Sequence, residues 1–199
     1  MTPRPRAATT AGLLLALHAL RLLLPATIPG AAGFSPVLAA ALFAGAACES
    51  VSLALLATLA LTAAGDLIVQ RVVYHDIHGF PIYPGWEWVY ASIALAAIAG
   101  RALAGNRFGW KKAAALAVAT TFAHWLLADM GVWFAGGCGA DCVKEYTRDV
   151  AGFLACLGAA VPTELRLFGA TGVFGGAVFA LLHLAPKHRR AKNAADVRP

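Results

Sequence analysis

The stretch SPVLAAALFAGAACESVSLALLATLALTAAGDLIVQ, residues 35–70, decides the fold class. It holds two apolar blocks, 35–47 and 51–70, which only the tripeptide CES separates. A bilayer core about 30 Å thick is crossed by roughly 20 apolar residues in a helix. The second block has that length, whereas the first is too short to span upright. We therefore predict two membrane helices joined by a tight turn, the first of them short, tilted or shielded by protein.

The composition of the whole chain agrees with this membrane interpretation. Its 199 residues are 60% hydrophobic and only 13% charged, and the mean hydropathy is +0.70. Soluble domains are usually about 45–50% apolar and about 25% charged. The net charge of +6 does not indicate a nucleic-acid partner, because the basic residues gather at the chain ends and in one short loop. The sequence contains no GxxxxGK[ST], HExxH or GxSxG motif, so no nucleotide-hydrolysing machinery is expected.

Further apolar blocks extend the pattern to six helices, at 7–24, 87–104, 113–134 and 165–184. A shorter apolar stretch, 150–161, stops at Pro162, and Thr163 suits the N-cap of the last helix. We predict an all-α fold, a polytopic membrane helical bundle of about six transmembrane helices plus a short outer-face helix over that stretch. Residues 1–186 would form a single transmembrane helical domain, and 187–199 a basic cytoplasmic tail.

Basic clusters predict the orientation of this bundle. They precede the first helix, separate the fourth from the fifth, and follow the last: Arg4, Arg6; Arg107, Lys111, Lys112; Lys187, Arg189, Arg190, Lys192. Positive loops stay in the cytoplasm, and six crossings place all three clusters there. A seventh crossing by 150–161 would put the tail outside. We predict a multi-pass protein of the bacterial cytoplasmic (inner) membrane, with both termini cytoplasmic and the loops 71–86 and 135–149 facing outward.

Polar residues inside the apolar blocks are candidates for a site, because charges within a membrane are costly and usually functional. Thr58, Thr62, Asp66 and Gln70 form one stripe at a spacing of four. Thr121, Trp125, Asp129 and Trp133 form another, and an acid between two indoles suits a flat or cationic group. The expected topology puts the charged members of this layer near the outer side. The predicted ligand-binding residues are Arg21, Asp66, Trp125, Asp129, Trp133 and Arg166, with Glu164 at the same level.

A structural interpretation of the same residues stays open. Arg21 would pair with Asp66 or Asp129 and hold helices together, while the tryptophans would belong to an interfacial aromatic belt. His124 points away from the Asp129 stripe, so a helix-to-helix hydrogen bond is its expected role, as it is for His18 and His183.

Two loop clusters and one helix face carry weaker signals. Cys138 and Cys142 could form a disulfide on the oxidising side. His75, Asp76 and His78 have chelating spacing, but the sequence offers no clear further ligand, so an ordinary polar loop is favoured and no metal is expected. Small residues Ala8, Gly12 and Ala16 recur every four positions along the first helix, which suits either internal packing or docking of another membrane protein.

Several runs together resemble a family of small bacterial integral membrane proteins of unknown function: LRLLLPATIPGAAGFSPVLAAALFAGA, GDLIV, WVYASIALAAIAGRAL, ADMGVWFAGG and YTRDVAGFLACLGAAVP. That family in turn resembles the substrate-binding (S) components of energy-coupling-factor (ECF) transporters. Those six-helix proteins capture vitamins or metal ions on the outer side, together with a transmembrane coupling subunit and two ATPases. The resemblance implies a coupling face at Ala8, Gly12 and Ala16, and a last helix that starts at Pro162.

The chain departs from the S-component pattern at two places that bear on the substrate. Thr163 and Glu164 follow the proline where many such components have an asparagine, and Asp129 stands where the pattern favours asparagine. We expect capture of a small organic, vitamin-like nutrient from the outer side, without enzymatic activity or a cofactor. The alternatives are an intramembrane enzyme that acts on a lipid or headgroup through Asp66, Asp129 and His124, and a structural scaffold that docks partners through the first helix.

Overall fold

The computed structural model describes residues 7–28, 30, 31, 33–72, 85–104, 109–135 and 146–195, with the backbone alone for 70, 72, 135 and 182–195. Several predictions concern residues or side chains outside this part of the chain: the Cys138–Cys142 disulfide, the cluster at His75, Asp76 and His78, the side chain of His183, and the basic residues Arg4, Arg6, Arg107, Lys187, Arg189, Arg190 and Lys192.

The described residues form helices and no strand. In chain order the helices are α1 (Ala7–Thr27), α2 (Val37–Ala47), α3 (Val51–Val72), α4 (Trp86–Gly100), α5 (Trp110–Ala135) and α6 (Val150–Ala195). A short 3-10 turn, Arg101–Leu103, extends α4. The predicted all-helical architecture is therefore confirmed for this part of the chain.

Four of these helices are long and apolar enough to cross a bilayer: Ala7–Thr27, Val51–Val69, Trp110–Phe134 and Val150–Leu181. The chain is thus a multi-pass membrane protein. The other two helices, α2 with 11 residues and α4 with 15, are shorter than the roughly 20 residues that a full crossing needs. The described residues form six helices, one of which covers two segments that were predicted separately, and four of the six are long and apolar enough to span a membrane.

The short helix α2 is the centre of the bundle. Every residue of α2 except Ala46 is buried, and it packs against α1, α3, α4 and α6. A helix that is apolar around its whole circumference requires such a position. Phe43 joins Leu14, Leu17 and Val178 in one core cluster, and Leu38 joins Ile93 and Leu167 in another. The prediction that this block is shielded by protein is confirmed.

Backbone meets backbone where α2 crosses α4. A Cβ atom added to Gly45 would lie 2.0 Å from the Ala97 carbonyl oxygen, and one added to Gly100 would lie 2.3 Å from the Leu42 carbonyl oxygen. Both distances are far below van der Waals contact, so neither position can carry a side chain without separating the helices. Small residues are the usual means of close helix packing in membranes.

The helix α6 corrects two predictions about residues 150–163. It runs without interruption for 46 residues, about 69 Å at 1.5 Å per residue. The stretch 150–161 is therefore its first part and no separate outer-face helix, and residues 187–195 continue the same helix. The side chain of Pro162 is exposed, and a proline removes only one helix hydrogen bond, which membrane helices tolerate. Thr163 is no N-cap, because it lies inside α6 and packs against Gly33.

The close crossing of α2 and α4 predicts that substitutions at different glycines change the stability by very different amounts. Gly45→Ala or Gly100→Ala should lower the stability by about 1–3 kcal/mol or more, because the added methyl group overpacks a backbone contact. Gly12→Ala is the matched control, since nothing lies within 4 Å of a Cβ atom there. The measurement is the melting temperature of purified protein in detergent. Equal melting of all three variants and wild type would contradict the close crossing.

Candidate functional site

Asp66 is the hydrogen-bonded centre of a contact between α1, α3 and α4. Its side chain is 7% exposed. Arg21 donates from Nη2 to Oδ1 of this carboxylate in an ion pair, and the Tyr90 hydroxyl donates to Oδ2 at 2.8 Å. Arg21 also donates from Nη1 to the Thr62 carbonyl at 3.3 Å. The predicted contact between a carboxylate and Arg21 is confirmed, and its geometry matches the structural interpretation, because both carboxylate oxygens have partners.

Neighbouring residues make room for this ion pair. Gly65 lies directly beside it, and a Cβ atom there would be 3.3 Å from Arg21 Nη1. Thr58 and Thr62, which precede Asp66 on the same stripe, are also buried. The predicted polar stripe of α3 therefore faces the protein interior over these three residues.

The histidines have structural partners. The Ser92 hydroxyl on α4 lies 2.6 Å from His124 Nδ1 on α5, so the predicted helix-to-helix hydrogen bond is confirmed. His18 differs from its prediction, because its Nδ1 donates to the Leu14 carbonyl of its own helix at 2.9 Å. The hydrogen bonds of Asp66 join α1, α3 and α4, and that of His124 joins α4 and α5.

Asp129 belongs to the junction of α5 and α6 and contrasts with Asp66. It is 7% exposed, yet its Oδ2 has no hydrogen-bond partner among the described residues. The two helices are in direct contact here, since the Cys156 thiol donates to the Asp129 backbone carbonyl at 3.5 Å. The indole N–H of Trp125 lies near the Asp129 carboxylate, but outside hydrogen-bonding geometry. A buried acid is thus left with unused acceptor capacity.

Glu164 supplies a second carboxylate to the same junction, and it was absent from the predicted ligand-binding set. Its Oε2 is also buried without a hydrogen-bond partner in the described part of the chain, and the negative charge of Asp129 acts on it. Helical side chains lean toward the N-terminus of their own helix. Because α5 and α6 run in opposite directions at this junction, the two carboxylates lean toward each other.

Glu164 belongs to the lining of a cavity of about 280 Å³, whereas Asp129 does not. We call it the acidic cavity. Thr121 and Trp125 also belong to the lining, but the surface that faces the cavity is almost entirely apolar, with Val118, Phe122, Val161, Leu165 and Phe168 as the other lining residues. It lies between α5 and α6, so the predicted ligand residues Arg21 and Asp66, on α1 and α3, do not line it. The reason is that α5 packs mainly on α4 and α6.

Trp133 does not line the acidic cavity, contrary to the prediction. Its indole N–H donates to the Thr147 carbonyl at 2.8 Å, and its ring packs on Phe153 with centroids 5.5 Å apart. Arg148 donates to the Trp133 carbonyl and lies 6.0 Å from its ring centroid. Trp133 therefore fastens the end of α5 to the beginning of α6. Arg166, another predicted ligand residue, is exposed on α6.

Asp149 caps the beginning of α6. It accepts hydrogen bonds from the Gly152 backbone N–H at 2.7 Å and from the Thr147 hydroxyl at 2.8 Å. The Gly152 N–H and then the Thr147 hydroxyl hold the pKa of this exposed carboxyl below its usual range. The charge also suits the positive end of the helix.

The ion pair at Asp66 predicts a graded loss of stability. Asp66→Asn or Arg21→Gln should each lower the stability by about 3–5 kcal/mol, because one buried charge remains without its partner. Tyr90→Phe removes only one hydrogen bond and should cost about 1 kcal/mol. Thermal melting in detergent measures both effects. If the charge variants melted like Tyr90→Phe, the ion pair would not stabilise the bundle.

The cap at Asp149 predicts that the melting temperature depends on pH. A folded pKa below the ordinary value of about 3.9 means that the cap stabilises fully above that value and is lost as the pH falls through the folded pKa. Asp149→Asn retains a capping oxygen but does not titrate. Wild type should therefore lose melting temperature relative to this variant as the pH falls below about 4. A constant difference from pH 7 to pH 3 would contradict the assignment.

Comparison with known proteins places the chain in a family. No curated protein and no solved structure matches it significantly. A family model described as a family of unknown function, DUF6580, matches residues 1–194. This match covers nearly the whole sequence and confirms the predicted likeness to a family of unknown function. The chain is therefore a member of the DUF6580 family.

Proposed function

We propose that this membrane protein captures a small organic cation in the acidic cavity between α5 and α6, as the solute-binding part of a transport process. The observation that carries the proposal is the pair Asp129 and Glu164, whose buried oxygens Oδ2 and Oε2 have no hydrogen-bond partners in the described part of the chain. Nearby Trp125 offers an equally unused N–H. An apolar cavity with a few polar groups nearby is typical of a small-molecule site.

The charge of the pair favours a cationic ligand. Two carboxylates in a membrane-spanning region are costly unless a cation or a shared proton balances them. The structure contrasts them with Asp66, whose charge Arg21 already balances. A bound ammonium group would supply both charge and hydrogen-bond donors to Asp129 and Glu164.

The cavity walls favour a small ligand with an apolar or aromatic part. Its volume of about 280 Å³ is close to the lower limit of about 300 Å³ for drug-sized ligand sites. Phe122 and Trp125 meet edge to face with centroids 5.8 Å apart, and Phe168 adds a third ring. Aromatic faces attract organic cations as well as apolar groups.

Capture of a nutrient for transport also requires a partner surface. Ala8, Gly12 and Ala16 are all exposed on α1, and a Cβ atom on Gly12 would meet nothing within 4 Å. We propose this face as the docking surface for a membrane coupling subunit with its ATPases, as the ECF S-component resemblance implies. Within this proposal the basic end of the bundle faces the cytoplasm of a bacterium and the acidic cavity lies toward the outer side.

A binding titration tests the cation site. Purified protein in detergent is titrated with a series of primary to quaternary alkyl- and arylalkylammonium ions, with tryptophan fluorescence as the signal. We expect the tryptophan fluorescence of the wild type to change and then saturate, as binding to one site requires. Asp129→Asn and Glu164→Gln should each weaken it by roughly 10- to 100-fold, the scale of a hydrogen bond to a charged group.

The control for this titration is Glu49→Gln, which removes an exposed carboxylate near the opposite end of the bundle and should leave binding unchanged. Trp125→Phe should remove most of the fluorescence response. Equal affinity in Asp129→Asn, Glu164→Gln and wild type would mean that this pair does not bind the cation.

A further inference from the structure

A second cavity lies at the other end of α5 and α6, where α5 begins. Its volume is about 260 Å³, and it is bordered by α2, α5 and α6. We call it the basic-end groove. On α5 its lining extends from Trp110 to Ala117, and on α6 from Thr171 to Phe179. At 1.5 Å per residue the groove is about 10–12 Å long, comparable with the roughly 15 Å of one leaflet of the hydrocarbon core.

The walls of the groove are smooth and apolar. Ala113, Ala114 and Ala117 form the α5 side, and Gly172 and Gly176 form much of the α6 side. A Cβ atom on either glycine would meet nothing within 4 Å. The one hydroxyl in the lining, on Thr171, already donates to the Leu167 carbonyl at 2.8 Å. The groove therefore offers apolar space without hydrogen-bonding groups.

The mouth of the groove carries positive charge. Trp110 lines it and is 65% exposed, and the Lys111 ammonium lies 6.0 Å from the Trp110 ring centroid. Lys112 lies at the same level and donates to the Ala102 carbonyl at 2.6 Å. Tryptophan and lysine in this arrangement are typical of the membrane–water interface. Apolar space within the membrane and cations at its boundary complement the two ends of an anionic lipid.

We propose that the basic-end groove is a binding site for an anionic phospholipid. One acyl chain lies between α5 and α6 along Gly172 and Gly176, and the phosphate binds Lys111 and Lys112 beside Trp110. A transmembrane helix of a partner fits less well, because a helix that crosses the bilayer is about 30 Å long whereas the groove is about a third of that length. This site shares no lining residue with the acidic cavity.

Native mass spectrometry of the purified full-length protein tests the lipid site. The probes are phosphatidylglycerol and phosphatidylcholine with identical acyl chains, added separately and in competition. We expect one phosphatidylglycerol to be retained per chain in preference to phosphatidylcholine. Gly172→Leu and Gly176→Leu should each abolish this retention by filling the groove. Lys111→Gln should weaken it by about fivefold, the scale of one interfacial lysine at an anionic lipid.

Two control variants separate the site from general effects. Gly158→Leu changes another α6 glycine whose added Cβ would meet nothing within 4 Å, and Arg71→Gln removes an exposed cation at the opposite end of the bundle. Both should retain the lipid. Because Lys111 is exposed, Lys111→Gln leaves the fold intact and keeps the test decisive even if a leucine variant fails to fold.

Three results would overturn the proposal. Equal retention of the two lipids would exclude recognition of an anionic headgroup, and retention unaffected by Gly172→Leu, Gly176→Leu and Lys111→Gln would exclude the groove. A second copy or another membrane protein that is bound by wild type and lost in the two leucine variants would identify the groove as a helix interface instead.

Discussion

The contact between the backbones of α2 and α4 is the constraint on which the rest of the bundle depends. Gly45 and Gly100 allow the two helices to touch, and their neighbours Leu42 and Ala97 supply the opposing carbonyls. α4 therefore packs closely on α2, and α1, α3 and α6 also pack on it. The Arg21–Asp66 ion pair forms between α1 and α3, which are in direct contact.

The buried carboxylates of this bundle differ in whether they have hydrogen-bond partners. Asp66 lies where α1, α3 and α4 converge, so a cation and a hydroxyl reach it from neighbouring helices. Asp129 and Glu164 lie on α5 and α6, and Asp129 Oδ2 and Glu164 Oε2 have no donor in the described part of the chain. The buried carboxylates therefore differ in their hydrogen bonding, and under the proposed function Asp129 and Glu164 are the ones that bind a ligand.

Much of the fold could be predicted from the sequence because the responsible signals are local. The length and composition of 35–47 predicted a shielded helix, and the spacing of Thr58, Thr62 and Asp66 predicted their common buried face. The continuity of α6 could not be predicted in this way, since the cost of Pro162 depends on what surrounds its ring. Glu164 consequently lies inside α6 and not at the start of a helix.

The candidate site could be predicted only in part, because residues spaced by four along a helix do not all point in one direction. Residues spaced by four on a helix turn by about 40° at each step, so Trp125 and Trp133 differ by about 80° in direction. Over two turns this is enough for Trp125 to face the acidic cavity while Trp133 faces the first residues of α6. Asp129 lies between them and faces the helix junction. Residues of one predicted stripe therefore face different surroundings in the structure.

The unbroken course of α6 has a mechanical consequence. Phe168 borders the acidic cavity, and Thr171 borders the basic-end groove less than one turn further along the same helix. Since these two walls lie on one continuous helix, a tilt of this segment displaces both of them. Any coupling free energy between occupants of the two cavities is reciprocal, so each occupant changes the affinity for the other by the same factor and in the same direction. In a chain interrupted at Pro162, the Val161 wall of the acidic cavity would lie on a different segment from Glu164 and Phe168.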